Sequence, residues 1–172
     1  MTDDLRLADP VAAARALPCG AIVIVRARQA KRRAELAAQL RPVAWARGLI
    51  LLIADDPELA RAIGANGLHL PEARAKEAAH WRAKNPGWLI TVSAHSLKAL
   101  IAASHADAVL LSPVFGTESH KKAPALSPAR ARLMARAVSV AVFALGGVTA
   151  QNAGQLSGFS GIAAIGALTV TS

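Results

Sequence analysis

The feature that most limits how this chain can fold is a repeated alternation of short apolar runs with longer mixed segments. AIVIV (Ala21–Val25), LILLI (Leu49–Ile53), AVLL (Ala108–Leu111) and VAVFAL (Val140–Leu145) have no polar residue on either face. Strands apolar on both faces belong to parallel sheets whose two sides are covered. In chain order the pattern predicts strands at Leu5–Ala8, Ala21–Val25, Leu49–Ile53, Gly67–Leu70, Leu89–Val92, Ala108–Leu111, Val140–Leu145 and Gly161–Ile165. Between them fall helices at Pro10–Leu17, Gln29–Trp45, Pro57–Ile63, Pro71–Lys84, Ser96–Ala103, Pro128–Ala137 and Gln151–Leu156. Asp56, Ser96 and Ser127 supply side-chain oxygens for exposed amides at helix starts, and Pro10, Pro57 and Pro128 sit where a missing N–H costs nothing. Pro42 lies inside the second helix and is expected to break or kink it.

Strand–helix alternation of this kind implies a parallel α/β fold. The eight strand segments point to a compact (β/α)8 TIM barrel with a missing or vestigial last helix. A chain of 172 residues is shorter than the usual range for that fold, roughly 200 upward. An open doubly wound sheet is the alternative. Neither a linker nor a low-complexity stretch interrupts the pattern, so residues 1–172 read as one domain.

In parallel sheets, ligands sit at the carboxyl ends of the strands. Two of the apolar runs end in segments suited to an anion. DAVLLSPVFGTESHKK (Asp107–Lys122) opens from a strand into a loop bearing Thr117, Ser119, His120, Lys121 and Lys122. Hydroxyls and cations converging on one place are what a phosphate needs. VAVFALGGV (Val140–Val148) ends on Gly146 and Gly147, where uncovered N–H groups admit an anion closely. Taken singly, these features also fit a solvated lysine loop and a glycine turn.

The formal charge of +9 suits an anionic ligand. Nucleic acid is not expected as a partner, because the arginines are dispersed and the chain has no Tyr and three Phe, leaving no basic block interleaved with aromatics. Cys19 is the only cysteine, which excludes an internal disulfide and a cysteine-based zinc cluster; it reads as a small core residue. The start, MTDDLRLAD, is acidic and has no apolar signal segment. No apolar run approaches the roughly 20 residues that span a bilayer. A cytoplasmic protein without a membrane partner is expected. The short last unit leaves an apolar edge that a homodimer would cover.

Ordered landmarks carry a resemblance: an apolar strand followed by Arg26-Ala27-Arg28, LLIADDPELARAIGANGLHL (Leu51–Leu70), VSAHS (Val92–Ser96), ADAVLLSPVFGTESHKK (Ala106–Lys122), VFALGGV (Val142–Val148) and SGIAAIGAL (Ser160–Leu168). With these, the chain resembles the thiamine phosphate synthase family, which includes the TenI-type thiazole tautomerases. The resemblance runs from about Ala21 to Ala167. It implies a (β/α)8 barrel whose site joins a thiazole phosphate to a pyrimidine methyl pyrophosphate, with Mg²⁺ on the departing pyrophosphate. The chemistry implied is dissociative: pyrophosphate leaves, a pyrimidine carbocation forms, and the thiazole nitrogen attacks it. Such a reaction asks the protein mainly for positioning and for stabilisation of the leaving group.

Carried over residue by residue, the resemblance assigns Arg26, Arg28 and Ser93 to pyrophosphate. It assigns Thr117, Ser119, Gly147, Ile165 and Gly166 to the thiazole phosphate, with serine replacing the family's second threonine at Ser119 and glycine replacing its serine at Gly166. Asp55 matches one of the two magnesium aspartates. The departures fall where the metal and pyrophosphate bind. Ile24 replaces a glutamine and Ala54 an asparagine. Arg74 replaces the second metal aspartate, and His120 replaces a lysine, with Lys121 able to reach in. Mg²⁺ binding is therefore expected to be weakened. Glu72 is a candidate substitute ligand, and Arg74 a candidate phosphate partner in place of the metal. The characteristic TenI histidine falls at Pro113, which leaves His120 as the candidate proton carrier. His95 and His69 are weaker candidates, His69 being expected to face the core. His80 and His105 read as helix-surface residues.

Three functions stand open on this reading. One is an enzyme handling thiazole phosphate, either a diverged synthase or a tautomerase. Another is a non-catalytic binder of thiazole or thiamine phosphate. The third is a barrel recruited to another phosphorylated metabolite. Gly147→Val is expected to abolish phosphate binding with the fold left intact.

Overall fold

The first three strands of the protein pair in parallel in chain order, and so do the last four. The computed structural model describes residues 1–4, 6–116 and 125–165. Their contacts divide into two compact units. The first comprises Met1–His69 and Gly87–Leu89, and the second comprises Leu70–Pro86 and continues from Ile90.

The first unit is built on β1 (Ile22–Val25), β2 (Ile50–Ala54) and β3 (Gly67–Leu70). Its helices are α1 (Pro10–Arg15), α2 (Ala30–Arg47) and α3 (Pro57–Ala62). Register pairs Ile24 with Leu52, Leu52 with Gly67 and Ala54 with His69. These residues share one face. Val23, Val25, Leu51 and Ile53 share the other, and they pack with Leu36, Ala37, Leu40, Val43 and Ala44 of α2. The α2 residues recur at the three-and-four spacing of one helix stripe. Each fully buried leucine or valine of this cluster contributes about 1.5–3 kcal/mol relative to exposure. Both strand faces are buried, since Ile24 and Leu52 are inaccessible too, as the apolar runs require.

Two expectations fail in this unit. Of the break or kink expected at Pro42, the break is not seen, and α2 runs from Ala30 to Arg47. Pro42 and Ala38 both lie on its exposed side, so the Ala38 carbonyl that loses its amide partner can be hydrated. The strand expected at Leu5–Ala8 is also not seen over Arg6–Ala8. Arg6 instead turns back onto Asp3, 2.7 Å away, and Asp9 caps α1 by accepting the Ala12 N–H at 2.8 Å. The segment ahead of it is tied to β1: the Thr2 N–H donates to Ile24 O at 2.9 Å.

The second unit contains β4 (Leu89–Ala94), which starts at the boundary, β5 (Ala108–Leu111), β6 (Ala141–Ala144) and the two-residue β7 (Gly161–Ile162). Its helices are α4 (Ala78–Lys84), α5 (Leu97–Ala102) and α6 (Pro128–Arg136). Ser93, Leu110 and Phe143 stand in register on one face; Val92, Val109 and Val142 stand on the other. The helix expected over Pro71–Lys84 splits into a 3-10 segment, Glu72–Glu77, and α4. At about three residues per turn, side chains three apart eclipse, and the Arg74–Glu77 ion pair has that spacing. Asp107 serves the start of β4: its carboxylate takes the Ile90 N–H at 2.8 Å and pairs with Arg82.

Candidate functional site

Four of the expected site residues, Thr117, Ser119, His120 and Lys121, lie outside the described residues, as does Gly166. The remaining ones all fall at or just after strand carboxyl ends: Arg26 and Arg28 after β1, Asp55 after β2, Ser93 one residue before the end of β4, Gly147 after β6 and Ile165 after β7. That placement follows from the parallel topology, which sends every strand's outgoing loop to the same end of its sheet.

In the first unit the arginine loop is held from two sides. Thr2 is buried and clasps Arg26: its Oγ1 accepts the Arg26 N–H at 2.8 Å and donates to Arg26 O at 2.8 Å. Asp3 Oδ2 lies 3.0 Å from Arg26 Nη1, and Asp4 Oδ2 accepts the Arg28 N–H at 2.9 Å. On the other side Arg33 of α2 donates to Ala27 O at 3.1 Å and to Asp56 Oδ2 at 3.0 Å. Asp56 Oδ1 in turn accepts the Leu59 N–H at 3.0 Å and caps α3. The two adjacent carboxylates thus play different parts. Asp56 is a helix cap and an ion-pair partner. Asp55 is exposed, adopts a left-handed φ of 56°, and donates its N–H to His69 O at 2.9 Å. Aspartate tolerates that conformation better than most residues.

His69 is 4% exposed and stands on the face of Ile24, Leu52 and Ala54. Burial, with the amino terminus and Arg26 adding positive charge, lowers its pKa from 6.5 to about 4. It is neutral near pH 7, in line with the expectation that it faces the core.

In the second unit Gly147 has φ +66°, and Gly146 has φ +95°. A Cβ on Gly147 would lie 2.6 Å from Gly116 O and 2.7 Å from Phe115 Cβ. Asn152 Nδ2 donates to Gly147 O at 2.8 Å. Only glycine satisfies this turn. The expectation that Gly147→Val spares the fold is therefore corrected: the substitution collides with the neighbouring backbone.

Arg74 is paired within its own segment. Its Nε reaches Glu77 Oε1 at 2.8 Å and its Nη2 reaches Oε2 at 2.6 Å. The hydrogen bond from Arg74 outweighs the opposing desolvation and, with a smaller hydrogen bond from Trp81, lowers the Glu77 pKa from 4.5 to about 2. Glu72 is likewise engaged: its Oε2 accepts the His95 N–H at 2.7 Å and lies 2.6 Å from His95 Nδ1. Among the described residues no three His, Cys, Asp or Glu side chains converge as metal ligands. Nor is any helix there long and apolar enough to cross a membrane.

The spacing of Arg74 and Glu77 makes their pairing open to sequence reading. The Glu72–His95 pair is not, because it joins residues 23 positions apart on successive strand ends.

A family model described as thiamine monophosphate synthase matches residues 3–168. The chain belongs to that family. The thiamine-phosphate synthase of Laribacter hongkongensis is 33% identical over 153 residues, 86% of this chain and 72% of that protein. That of Methanoculleus marisnigri is 34% identical over 137 residues, 77% of this chain and 65% of that protein. The matched stretches span between 62% and 72% of the lengths of the first four curated relatives. Among solved structures, thiamine phosphate pyrophosphorylase from Pyrococcus furiosus superposes with a TM-score of 0.77 at 23% identity, covering 95% of this chain and 82% of that one. This likeness establishes a shared α/β fold with the family.

Proposed function

We propose that this thiamine monophosphate synthase family chain binds a thiazole phosphate and has diverged at the metal and pyrophosphate ligands. The observation that carries the reading is the Gly146–Gly147 turn at the end of β6. Its left-handed backbone and close packing on Phe115 and Gly116 admit no side chain, which suits a loop where backbone N–H groups meet an anion. Phe115 and Gly116 lead directly into Thr117 and Ser119, the family's phosphate-binding hydroxyls, and Ile165 and Gly166 complete that set by resemblance.

The family's Mg²⁺ does not fit the residues present. Asp55 supplies one carboxylate, Arg74 stands in the place of the other, and Glu77 and Glu72 are engaged by Arg74 and His95. In this reading Arg26, Arg28, Ser93 and Lys121 supply the charge and donors for pyrophosphate, which arginine can bind without metal. Condensation is then slow, since the leaving group lacks its dication. His120 remains the sequence candidate for proton transfer.

Complementation of a strain lacking thiamine-phosphate synthase tests the reading. Partial or absent growth, with thiazole phosphate still bound by the purified protein, is the expected result. Full growth at ordinary expression would restore the plain synthase assignment, and absence of thiazole phosphate binding would point to another phosphorylated metabolite.

A further inference from the structure

The carboxylates of this chain are unevenly placed. Residues 78–172 carry eight of the 20 Lys and Arg but two of the 11 Asp and Glu, namely Asp107 and Glu118. Asp107 is already taken by Arg82 and the Ile90 N–H, and Glu118 lies outside the described residues. Two helices of the second unit, α5 and α6, fall in this stretch. They lie in contact with each other and contain no acid.

Their outer stripes combine aliphatic and cationic side chains. On α5, Leu97 and Ile101 are about one turn apart and are 39% and 59% exposed. Lys98 is exposed beside them. On α6, Leu133 is 68% exposed and stands between Arg130 and Arg136, both exposed. The spacing of three puts these side chains on one helix face. Arg132, between them in sequence, is instead held by Gln155 O at 2.9 Å. No carboxylate among the described residues pairs with Lys98, Arg130 or Arg136. Single exposed aliphatic residues are ordinary on a protein surface. Three on two touching helices, rimmed by one sign of charge, have the make-up of a docking surface.

The rim decides the occupant. A second copy joined through the same surface on a two-fold axis would set Arg130 and Arg136 against like charges. A bilayer surface takes a broad apolar helix face about 5–10 Å into its headgroup boundary, whereas the α6 stripe runs arginine, leucine, arginine. Nucleic acid would leave the three aliphatic side chains unmatched, and neither helix has an aromatic residue on which a base could stack. We propose that the α5–α6 surface docks an acidic amphipathic segment of another protein. Aliphatic side chains of that segment cover Leu97, Ile101 and Leu133, and its carboxylates meet Lys98, Arg130 and Arg136. A helix with apolar residues three and four apart, flanked by Asp or Glu, has this form. Such docking is independent of which phosphate the chain binds.

A synthetic peptide with Leu at those spacings and Glu elsewhere, titrated into the ¹⁵N-labelled whole chain, tests this through the backbone amide resonances. Shifts centred on α5 and α6 are expected, with affinity falling as salt rises. Arg130→Glu combined with Arg136→Glu should weaken binding about tenfold or more, because like charges then meet. Leu133→Ser should also weaken it. Both changes fall at exposed positions and should leave the melting temperature close to that of the parent. Trp45→Ser, at an exposed apolar residue of α2, should leave binding unchanged. An absence of α5 and α6 shifts at about millimolar peptide overturns the proposal. So does equal binding of the same peptide with Lys in place of Glu, or unchanged affinity in the charge-reversed variant. Binding to vesicles of equal parts phosphatidylcholine and phosphatidylglycerol, with none to the peptide, would give the surface to anionic lipid. Sedimentation of a dimer that Leu133→Ser dissolves would give it to a second copy. Either result overturns the proposal.

Discussion

Arg74 and Glu77 face each other across one turn of 3-10 helix, joined by contacts of 2.8 and 2.6 Å, and Trp81 Nε1 donates to the same carboxylate at 3.1 Å. Arg74, which the resemblance sets at the place of a metal aspartate, thus has its charge matched within its own segment. Arg74→Asp removes that match, places a carboxylate where the family has one, and leaves Glu77 beside it. Mg²⁺ affinity should rise about tenfold or more, as expected for adding oxygen ligands to a weak site. A titration of Mg²⁺ into both proteins measures this; equal affinities would show that residue 74 does not govern the metal.

Acid should weaken the fold through two groups in two windows. His69 has a folded pKa of about 4, below its ordinary 6.5. Between those values the unfolded chain binds more protons, so stability falls as pH drops from about 6.5 to about 4. Glu77 has a folded pKa of about 2 against 4.5, so its contribution is present above 4.5 and is lost as pH falls towards 2. Urea unfolding across pH should show both declines. His69→Gln should flatten the upper one, and a pH slope unchanged by that variant would contradict the assignment.

Leu40 is 1% exposed at the centre of the α2 face that covers β1 and β2. Leu40→Ala should cost about 2–5 kcal/mol, read as a lower urea midpoint with little change in slope. Trp45, on the same helix, is 80% exposed, and Trp45→Ala should stay within about 0.5 kcal/mol of the parent.

Much of this frame is legible in the sequence because its determinants are local. Wholly apolar runs mark the strands, and Asp56, Ser96 and Ser127 read as caps from their neighbours alone. What fails depends on context. The effect of Pro42 turns on whether the Ala38 carbonyl meets solvent, which the helix sequence does not state. The segment at Arg6–Ala8 departs from expectation because Thr2 binds β1 from a place with no strand pattern. In the site, the sequence locates Gly147 but not its intolerance of a side chain, since that limit is set by Phe115 and Gly116, more than 30 residues earlier. The Arg74–Glu77 pair is local, three residues apart, whereas the Glu72–His95 pair joins residues 23 positions apart and emerges only in the fold.

Asp3 competes with any anion for Arg26, to which it lies at 3.0 Å, and it also holds Arg6. Asp3→Asn should tighten pyrophosphate binding. Exposed ion pairs are worth about 0.2–1 kcal/mol, so the gain should be at most about fivefold and should shrink in high salt. Weaker binding in Asp3→Asn would mean that Asp3 orients Arg26 for the ligand instead of opposing it.

In the proposed function, the phosphate-binding part of a thiamine-phosphate synthase persists here while its metal chemistry has faded. Isothermal calorimetry with thiazole phosphate, followed by a condensation assay with pyrimidine methyl pyrophosphate with and without Mg²⁺, tests both halves on one sample. Saturable thiazole phosphate binding that Mg²⁺ does not alter is expected, with turnover that is slow and responds little to Mg²⁺. Condensation at ordinary enzyme rates, strictly dependent on Mg²⁺, would contradict it.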